Sequence, residues 1–329
     1  MRLIGLAVVL AVSLTLAPLA AETQQAGRLP RIGVLVTLAP PNHLEVDALR
    51  QGLRELGYIE GRNVLLDIRS SEGRVERWPD LVGELLGIPV DVIVVPTTGA
   101  ALVAKRATRT IPIVASTAGA LLEAGVIASL ARPGGNVTGL TNSQVDLSAK
   151  RLELLKEAVP TLSRVAALTS PYPNSPSLGE IYVRQTASAA RTLGLRLDLF
   201  RVERSDDLAG AFRAATRARA GAVIIIPNPF FGVYATRVAE LALQHKLPMI
   251  AGDPGIVEAG GLMYYSVHLA DAWRRSATHV DRILKGAKPA DLPVEQPTKF
   301  ELVINMRTAK ALGVTIPQSI LVRANEIIQ

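Results

Sequence analysis

The sequence predicts an α/β protein built from two similar lobes, because three matched segments recur in the same order in both halves. The matched pairs are RIGVLVT (31–37) and RVAALTS (164–170), VIVVP (92–96) and VIIIP (223–227), and TIPIVAS (110–116) and KLPMIAG (246–252). The distance from the first to the second segment is also nearly the same in the two halves. Parallel strands of unrelated proteins share such apolar runs, but shared order and spacing favour two copies of one unit.

The first copy alternates strands and helices. RIGVLV (31–36) predicts a buried strand, and apolar residues at helical spacing from Val46 to Leu56 predict a helix that ends at Gly57. The next elements are a strand at 63–69, a helix at 79–86, a strand at 90–96, a helix at 99–108 and a strand at 111–115. Such alternation predicts a mostly parallel sheet covered by helices.

The second copy repeats this order after a helix that ends before Pro160. Its predicted strands lie at 164–170, 195–202, 221–227 and 247–252, and predicted helices separate them. Three segments belong to neither copy, and we expect connections between the lobes in them: 132–141, 260–267 and 286–305. Trp273 falls on the apolar stripe of the helix after 267, which predicts a core position.

Composition and charge restrict the function. The chain has 329 residues, enough for two domains, and its net charge is +7. The basic residues are spread along the chain without aromatic interleaving, so we expect no nucleic-acid partner. Because cysteine is absent, disulfides, thiol catalysis and lipid attachment through an N-terminal cysteine are excluded.

The first 21 residues read as a secretory signal peptide. Arg2 precedes an apolar stretch that ends in small residues at Ala21. An uncleaved membrane anchor is the alternative, since about 18 apolar residues can just span a bilayer. Cleavage after Ala21 predicts a protein that diffuses freely in the periplasm.

Several longer motifs resemble one protein family. They are GYIEGRNV (57–64), SLARPGGNVTGLT (129–141), KRLELLKEAVP (150–160), GGLM (260–263) and ILKGAKPADLPVEQPTKFELVIN (283–305). Over essentially the whole mature chain, the sequence is similar to the exported substrate-binding proteins of ABC transporters. It most resembles the group whose characterised relatives take up tryptophan, tyrosine or phenylalanine.

The resemblance implies a type I periplasmic-binding fold, with two Rossmann-like lobes joined by three hinge crossings and closing on a small solute. We assign residues 29–139 and 254–288 to the N-terminal lobe, and residues 140–253 and 289–329 to the C-terminal lobe. A monomer that delivers its solute to an ABC permease and its ATPase is expected. Relatives often carry Asp-Pro at the positions of Ala120 and Leu121, and Tyr-Gly at Tyr265 and Ser266. Both differences fall near the expected cleft, so the resemblance does not identify the solute.

Polar and aromatic residues follow the predicted strands of both copies, where an inter-lobe cleft would lie. The start of the helix at Thr97–Gly99 suits a carboxylate, whereas Asp253 suits an ammonium group. Thr97 and Asp253 are equally good cap or turn residues, and Phe230 and Phe231 could simply pack beneath their loop. The candidate ligand residues are Thr37, Asn42, His43, Thr97, Thr98, Ser116, Thr117, Ser170, Tyr172, Asn174, Asn228, Phe230, Asp253 and Tyr265.

Other function classes have little support in the sequence. The nucleotide, P-loop, zinc-protease and nucleophile-elbow motifs are absent, and the four histidines show no metal-ligand spacing. We therefore predict a binding protein without catalytic residues, cofactor or metal. Transcription regulators with this fold carry a DNA-binding helix-turn-helix, where this chain has its signal peptide. A periplasmic sensor that presents its closed form to a membrane receptor is the alternative function.

Overall fold

The computed structural model of the chain describes residues 28–38, 44–142 and 144–329. The predicted signal peptide and the candidate ligand residues Asn42 and His43 lie outside these ranges. Among the described residues, none of the helices is both long and apolar enough to cross a membrane.

The first lobe is built on a five-stranded parallel sheet in the order β2-β1-β3-β4-β5. Ile32, Ile93 and Val114 are fully buried, as expected for central strands covered on both faces. The strands are β1 (Arg31–Val36), β2 (Leu65–Ser70), β3 (Val92–Val95), β4 (Ile113–Ala118) and β5 (Val137–Thr141). The helices between them are α1 (Leu44–Glu55), α2 (Trp78–Leu86) and α3 (Thr98–Ala107).

The second lobe has a seven-stranded sheet in the order β12-β11-β10-β9-β8-β6-β7. Its strands are β6 (Arg164–Thr169), β7 (Arg196–Arg201), β8 (Ala222–Ile225), β9 (Met249–Ala251), β10 (Met263–Val267), β11 (Phe300–Asn305) and β12 (Glu326–Ile328). The remaining helices are α4 (Gln144–Ala158), α5 (Pro176–Thr192), α6 (Asp207–Arg217), α7 (Pro229–Val233), α8 (Ala235–Gln244), α9 (Pro254–Glu258), α10 (Leu269–Leu284), α11 (Met306–Leu312) and α12 (Gln318–Leu321). The β10–β11 pair is antiparallel, and the other pairs are parallel.

The two predicted copies therefore form two lobes, and equivalent strands occupy equivalent positions in the two sheets. β1, β3 and β4 lie side by side in the first sheet, as do their counterparts β6, β8 and β9 in the second. The repeated segments TIPIVAS and KLPMIAG contain the equivalent strands β4 and β9. This arrangement confirms the predicted α/β fold of two parallel-sheet lobes.

The chain crosses between the lobes three times. It leaves the first sheet after β5, returns after β10 so that Trp273 on α10 is buried in the first lobe, and crosses again before β11. Two lobe boundaries differ from our sequence assignment. Residues 254–267 belong to the second lobe, because β10 pairs with β9 and β11. Leu292 and Val294 still pack in the cores of the first lobe.

Candidate functional site

The loops at the carboxyl ends of the strands meet between the lobes and enclose a small cavity. Its volume is about 20 Å³, which is room for about one water molecule. The first lobe contributes Val75, Trp78, Thr97 and Gly99, and the second contributes Tyr172, Pro173, Asn174, Ser175 and Pro229. The lobes therefore stand in contact, with Thr97, Tyr172 and Asn174 from our predicted set on the shared wall.

The hydroxyl groups of Thr97 and Thr98 have different surroundings. Thr97 caps α3, since its Oγ1 accepts a hydrogen bond from the Ala100 amide at 3.2 Å, while the residue still lines the cavity. Thr98 is buried, and its Oγ1 accepts a hydrogen bond from the Ala120 amide at 3.1 Å. Tyr182 of the second lobe lies near this hydroxyl. Thr98 therefore holds the Ala120 loop in place where the first lobe meets the second.

The other predicted residues of the first lobe hold its own loops in place. Ser116 is fully buried, and its Oγ lies 3.2 Å from the Oγ of Ser276 on α10. Thr117 donates a hydrogen bond to the Pro96 carbonyl at 2.6 Å. The carbonyl of Thr37 accepts hydrogen bonds from the Gly73 amide and the Ser71 hydroxyl. These contacts fix the strand ends that surround the cavity.

In the second lobe, three predicted residues build one rigid wall. The Asn228 side chain caps α7 through the Phe230 amide and donates to the carbonyl of Ser170 at 3.0 Å. The hydroxyl of Tyr172 donates a hydrogen bond to the Pro227 carbonyl, so its ring is held against the cavity. Asn228 and Ser170 thus position Tyr172 from within the lobe.

Phe230 belongs to a small aromatic cluster. Its ring centroid lies 4.8 Å from that of Tyr234 and 5.3 Å from that of Phe231. Phe231 is fully buried, whereas Phe230 is only half-buried. The cluster gives the second lobe an apolar surface next to Pro229 on the cavity wall.

Two buried carboxyl groups, those of Glu45 in the first lobe and Asp253 in the second, interact electrostatically. Asp253 caps α9, since its Oδ1 accepts a hydrogen bond from the Gly255 amide at 2.9 Å. Burial, aided by the negative charge of Asp253, raises the pKa of Glu45 at the start of α1 to about 7. Burial also raises the pKa of Asp253, although its bond to Gly255 opposes this. A nearby cation would therefore stabilise the ionised forms of both carboxyl groups.

Tyr265 lies away from the cavity. Its ring stacks on Phe300 at a centroid distance of 6.1 Å, and its carbonyl accepts a hydrogen bond from Nε of Arg151 at 2.7 Å. Arg151 is fully buried, and its guanidinium packs against the backbone of Gly252, beside Asp253. Tyr265 thus takes part in the interior of the second lobe.

Sequence reasoning missed Trp78, Glu45 and Arg151. Trp78 reads as one apolar position on the stripe of α2; it is buried in the first-lobe core and also lines the cavity. Glu45 reads as an ordinary acidic residue in the first turn of a helix. Only Arg151 carried a signal, because it falls inside the motif KRLELLKEAVP. The described residues contain no cluster of three side chains that could hold a metal ion.

Comparison with known proteins assigns the chain to a family. The family model described as ABC transporter substrate binding protein matches residues 31–328. The chain belongs to this family. The predicted resemblance is thereby confirmed, and the family is one of binding proteins rather than enzymes.

Relatives of this substrate-binding protein include proteins with known ligands. A tyrosine-binding protein of Clostridioides difficile is 25% identical over 277 residues, covering 82% of this chain and 78% of that protein. The solved ABC domain of Streptococcus pneumoniae in complex with L-Trp is 27% identical, with a TM-score of 0.83 over 91% of this chain and all of that one. A conserved domain protein of Vibrio cholerae has 25% identity and a TM-score of 0.81 over the same shares.

Proposed function

We propose that this substrate-binding protein captures an amino acid, aromatic by preference, between its lobes in the periplasm and presents the closed form to an ABC permease and its ATPase. The contact region between the lobes carries the proposal: both lobes line the water-sized cavity there, and the lobes must part to admit an amino acid. Only the closed form lets both lobes contact a solute, so the solute stabilises closure and the permease can respond to it.

The charges around the cleft support an amino acid. Asp253 and Glu45 are buried carboxyl groups from opposite lobes whose negative charges repel each other, which favours a solute with an ammonium group. On the first lobe, Thr97 and Gly99 at the amino end of α3 line the cavity, and the partial positive charge of that helix end suits a carboxylate. A solute with both groups bridges the lobes.

Aromatic surfaces support the preference for an aromatic side chain. Trp78 comes from the first lobe and Tyr172 from the second, and both line the cavity. Aromatic walls stabilise a flat solute through apolar contact and ring stacking. The tyrosine-binding and L-Trp-bound relatives agree with this preference.

Thermal unfolding of the refolded chain without residues 1–21 tests this function. A solute at 100 times its dissociation constant adds about 2.7 kcal/mol of stability, which raises the melting temperature by about 5–10 °C. We expect this rise with tryptophan, tyrosine or phenylalanine. Asp253→Asn should remove most of it, because a charged hydrogen bond contributes about 1.5–3 kcal/mol while asparagine still caps α9.

Asp206→Asn is the matched control, since Asp206 is an exposed residue that makes no capping hydrogen bond with its side chain. It should leave the solute-induced rise unchanged. A rise only with carboxylates that lack an amino group would remove Asp253 from its proposed role. No rise with any amino acid or small carboxylate would contradict the proposed function.

A further inference from the structure

Hydrogen bonds between the lobes lie at the lip of the cleft, on the side away from the three crossings. The amide Nδ2 of Asn174 donates to the Val75 carbonyl at 2.6 Å. Arg106 Nη1 donates to the carbonyl of Asn174 at 2.9 Å. Val75 follows the edge strand β2, and Asn174 follows β6 next to the opposite edge strand β7. We call Val75, Arg106 and Asn174 the lip latch.

The turns that carry Asn174 and Val75 are each fixed within their own lobe. The Ser175 amide donates to the Tyr172 carbonyl at 3.0 Å, which closes a tight turn around Asn174. On the other lobe, the amides of Gly73 and Arg74 donate to the carbonyls of Thr37 and Ser71. These turns therefore lose little conformational freedom when Asn174 meets Val75.

Asn174 lines the cavity, but its side-chain amide and its carbonyl are both bonded to the other lobe. We propose that Asn174 and Arg106 set the balance between the open and closed forms through these bonds, without contacting the solute. Both hydrogen bonds join protein groups alone, and both require the lobes to meet. They therefore act on every solute alike, because apparent affinity scales with the fraction of protein in the binding-competent form. In this role Asn174 is a positioning residue rather than the ligand contact that the sequence predicts.

Asn174→Ala and Arg106→Ala should each shift the population towards the open form by about fivefold, the usual contribution of one hydrogen bond. The dissociation constants of all bound solutes should rise by a common factor. A direct ligand contact would instead change the ranking of solutes. The measurement of dissociation constants rests on the proposed function, whereas the measurement of the open and closed populations needs no solute.

Double electron–electron resonance on the solute-free protein measures the population directly. Because the chain has no cysteine, Asp80→Cys on α2 and Arg204→Cys after β7 place one spin label on each lobe. Both positions are exposed. Asn174→Ala and Arg106→Ala should move distance probability from the short to the long population, with circular dichroism unchanged.

Arg109→Ala is the matched control, since Arg109 is an exposed arginine close to Arg106 that makes no hydrogen bond within the described residues. It should leave the distances as they are in the parent. Identical distance distributions in the parent and both latch variants would overturn the proposal. The proposal would also be overturned if the variants changed the order of affinities among solutes without changing the distances, because Asn174 would then be a ligand contact. If no solute raises the melting temperature but the distances between the spin labels still shift, the proposed function is contradicted while the role of the lip latch is retained.

Discussion

Gly139→Ala should destabilise the protein by at least about 4 kcal/mol, as measured by urea unfolding. Gly139 lies in β5 with φ +126°, and a Cβ there would lie 2.1 Å from the carbonyl oxygen of Ala115. The same Cβ would lie 2.6 Å from the Ala115 nitrogen. Because these atoms are backbone of β4, relief requires the two strands to separate next to a crossing between the lobes.

Gly135→Ala provides the matched control for this substitution. Gly135 lies a few residues before Gly139, and a Cβ added there meets no atom within 4 Å. We expect its unfolding free energy to stay within about 0.5 kcal/mol of the parent value. A Gly139→Ala protein that unfolds at nearly the parent urea concentration would refute the close approach of β5 to β4.

Gly73→Ala should weaken solute binding by roughly thirtyfold, because the added methyl group keeps the lip of the cleft open. A Cβ on Gly73 would lie 2.0 Å from Cγ2 of Val233, which belongs to the other lobe. Relieving such overpacking costs about 1–3 kcal/mol. Gly73 has φ +77°, so alanine also strains its loop, but this strain is the same in the open and closed forms and leaves their balance unchanged.

Adding Val233→Ala to Gly73→Ala tests this explanation. The second substitution removes Cγ1 and Cγ2 and leaves the nearest Val233 atom at 3.3 Å, the distance to its Cβ. Isothermal titration with the solute from the thermal panel should show most of the affinity restored. A loss that the double variant does not recover, or no loss at all, would show that the lobes do not approach each other here during binding.

Much of the fold could be predicted because buried parallel strands have a plain signature. Strands covered on both faces are continuous apolar runs, and two copies in the same order predicted two lobes with mostly parallel sheets. Trp273 was correctly placed in the core from helical spacing alone. The segment around β10 was assigned to the wrong lobe, because its partners β9 and β11 depend on pairing between distant parts of the chain.

The candidate site was harder to predict than the fold. Strand ends predicted a cleft between the lobes, but they do not say whether a polar side chain faces it or its own loop. Thr117 and Asn228 donate hydrogen bonds to carbonyls of their own lobe. The contact between Asn174 and Val75 depends on how closely the lobes approach, which local sequence does not encode. Trp78 was missed because a cavity wall and a core position have the same helical spacing.

Fluorine NMR of protein labelled with 5-fluorotryptophan tests the central claim most directly. The chain has two tryptophans; both are buried, but Trp78 lines the cavity whereas Trp273 packs under α1 in the first lobe. Trp78→Phe and Trp273→Phe assign the two resonances. On addition of the solute from the thermal panel, we predict that the Trp78 resonance shifts while the Trp273 resonance stays in place. A solute that raises the melting temperature yet leaves the Trp78 resonance unmoved would contradict binding between the lobes.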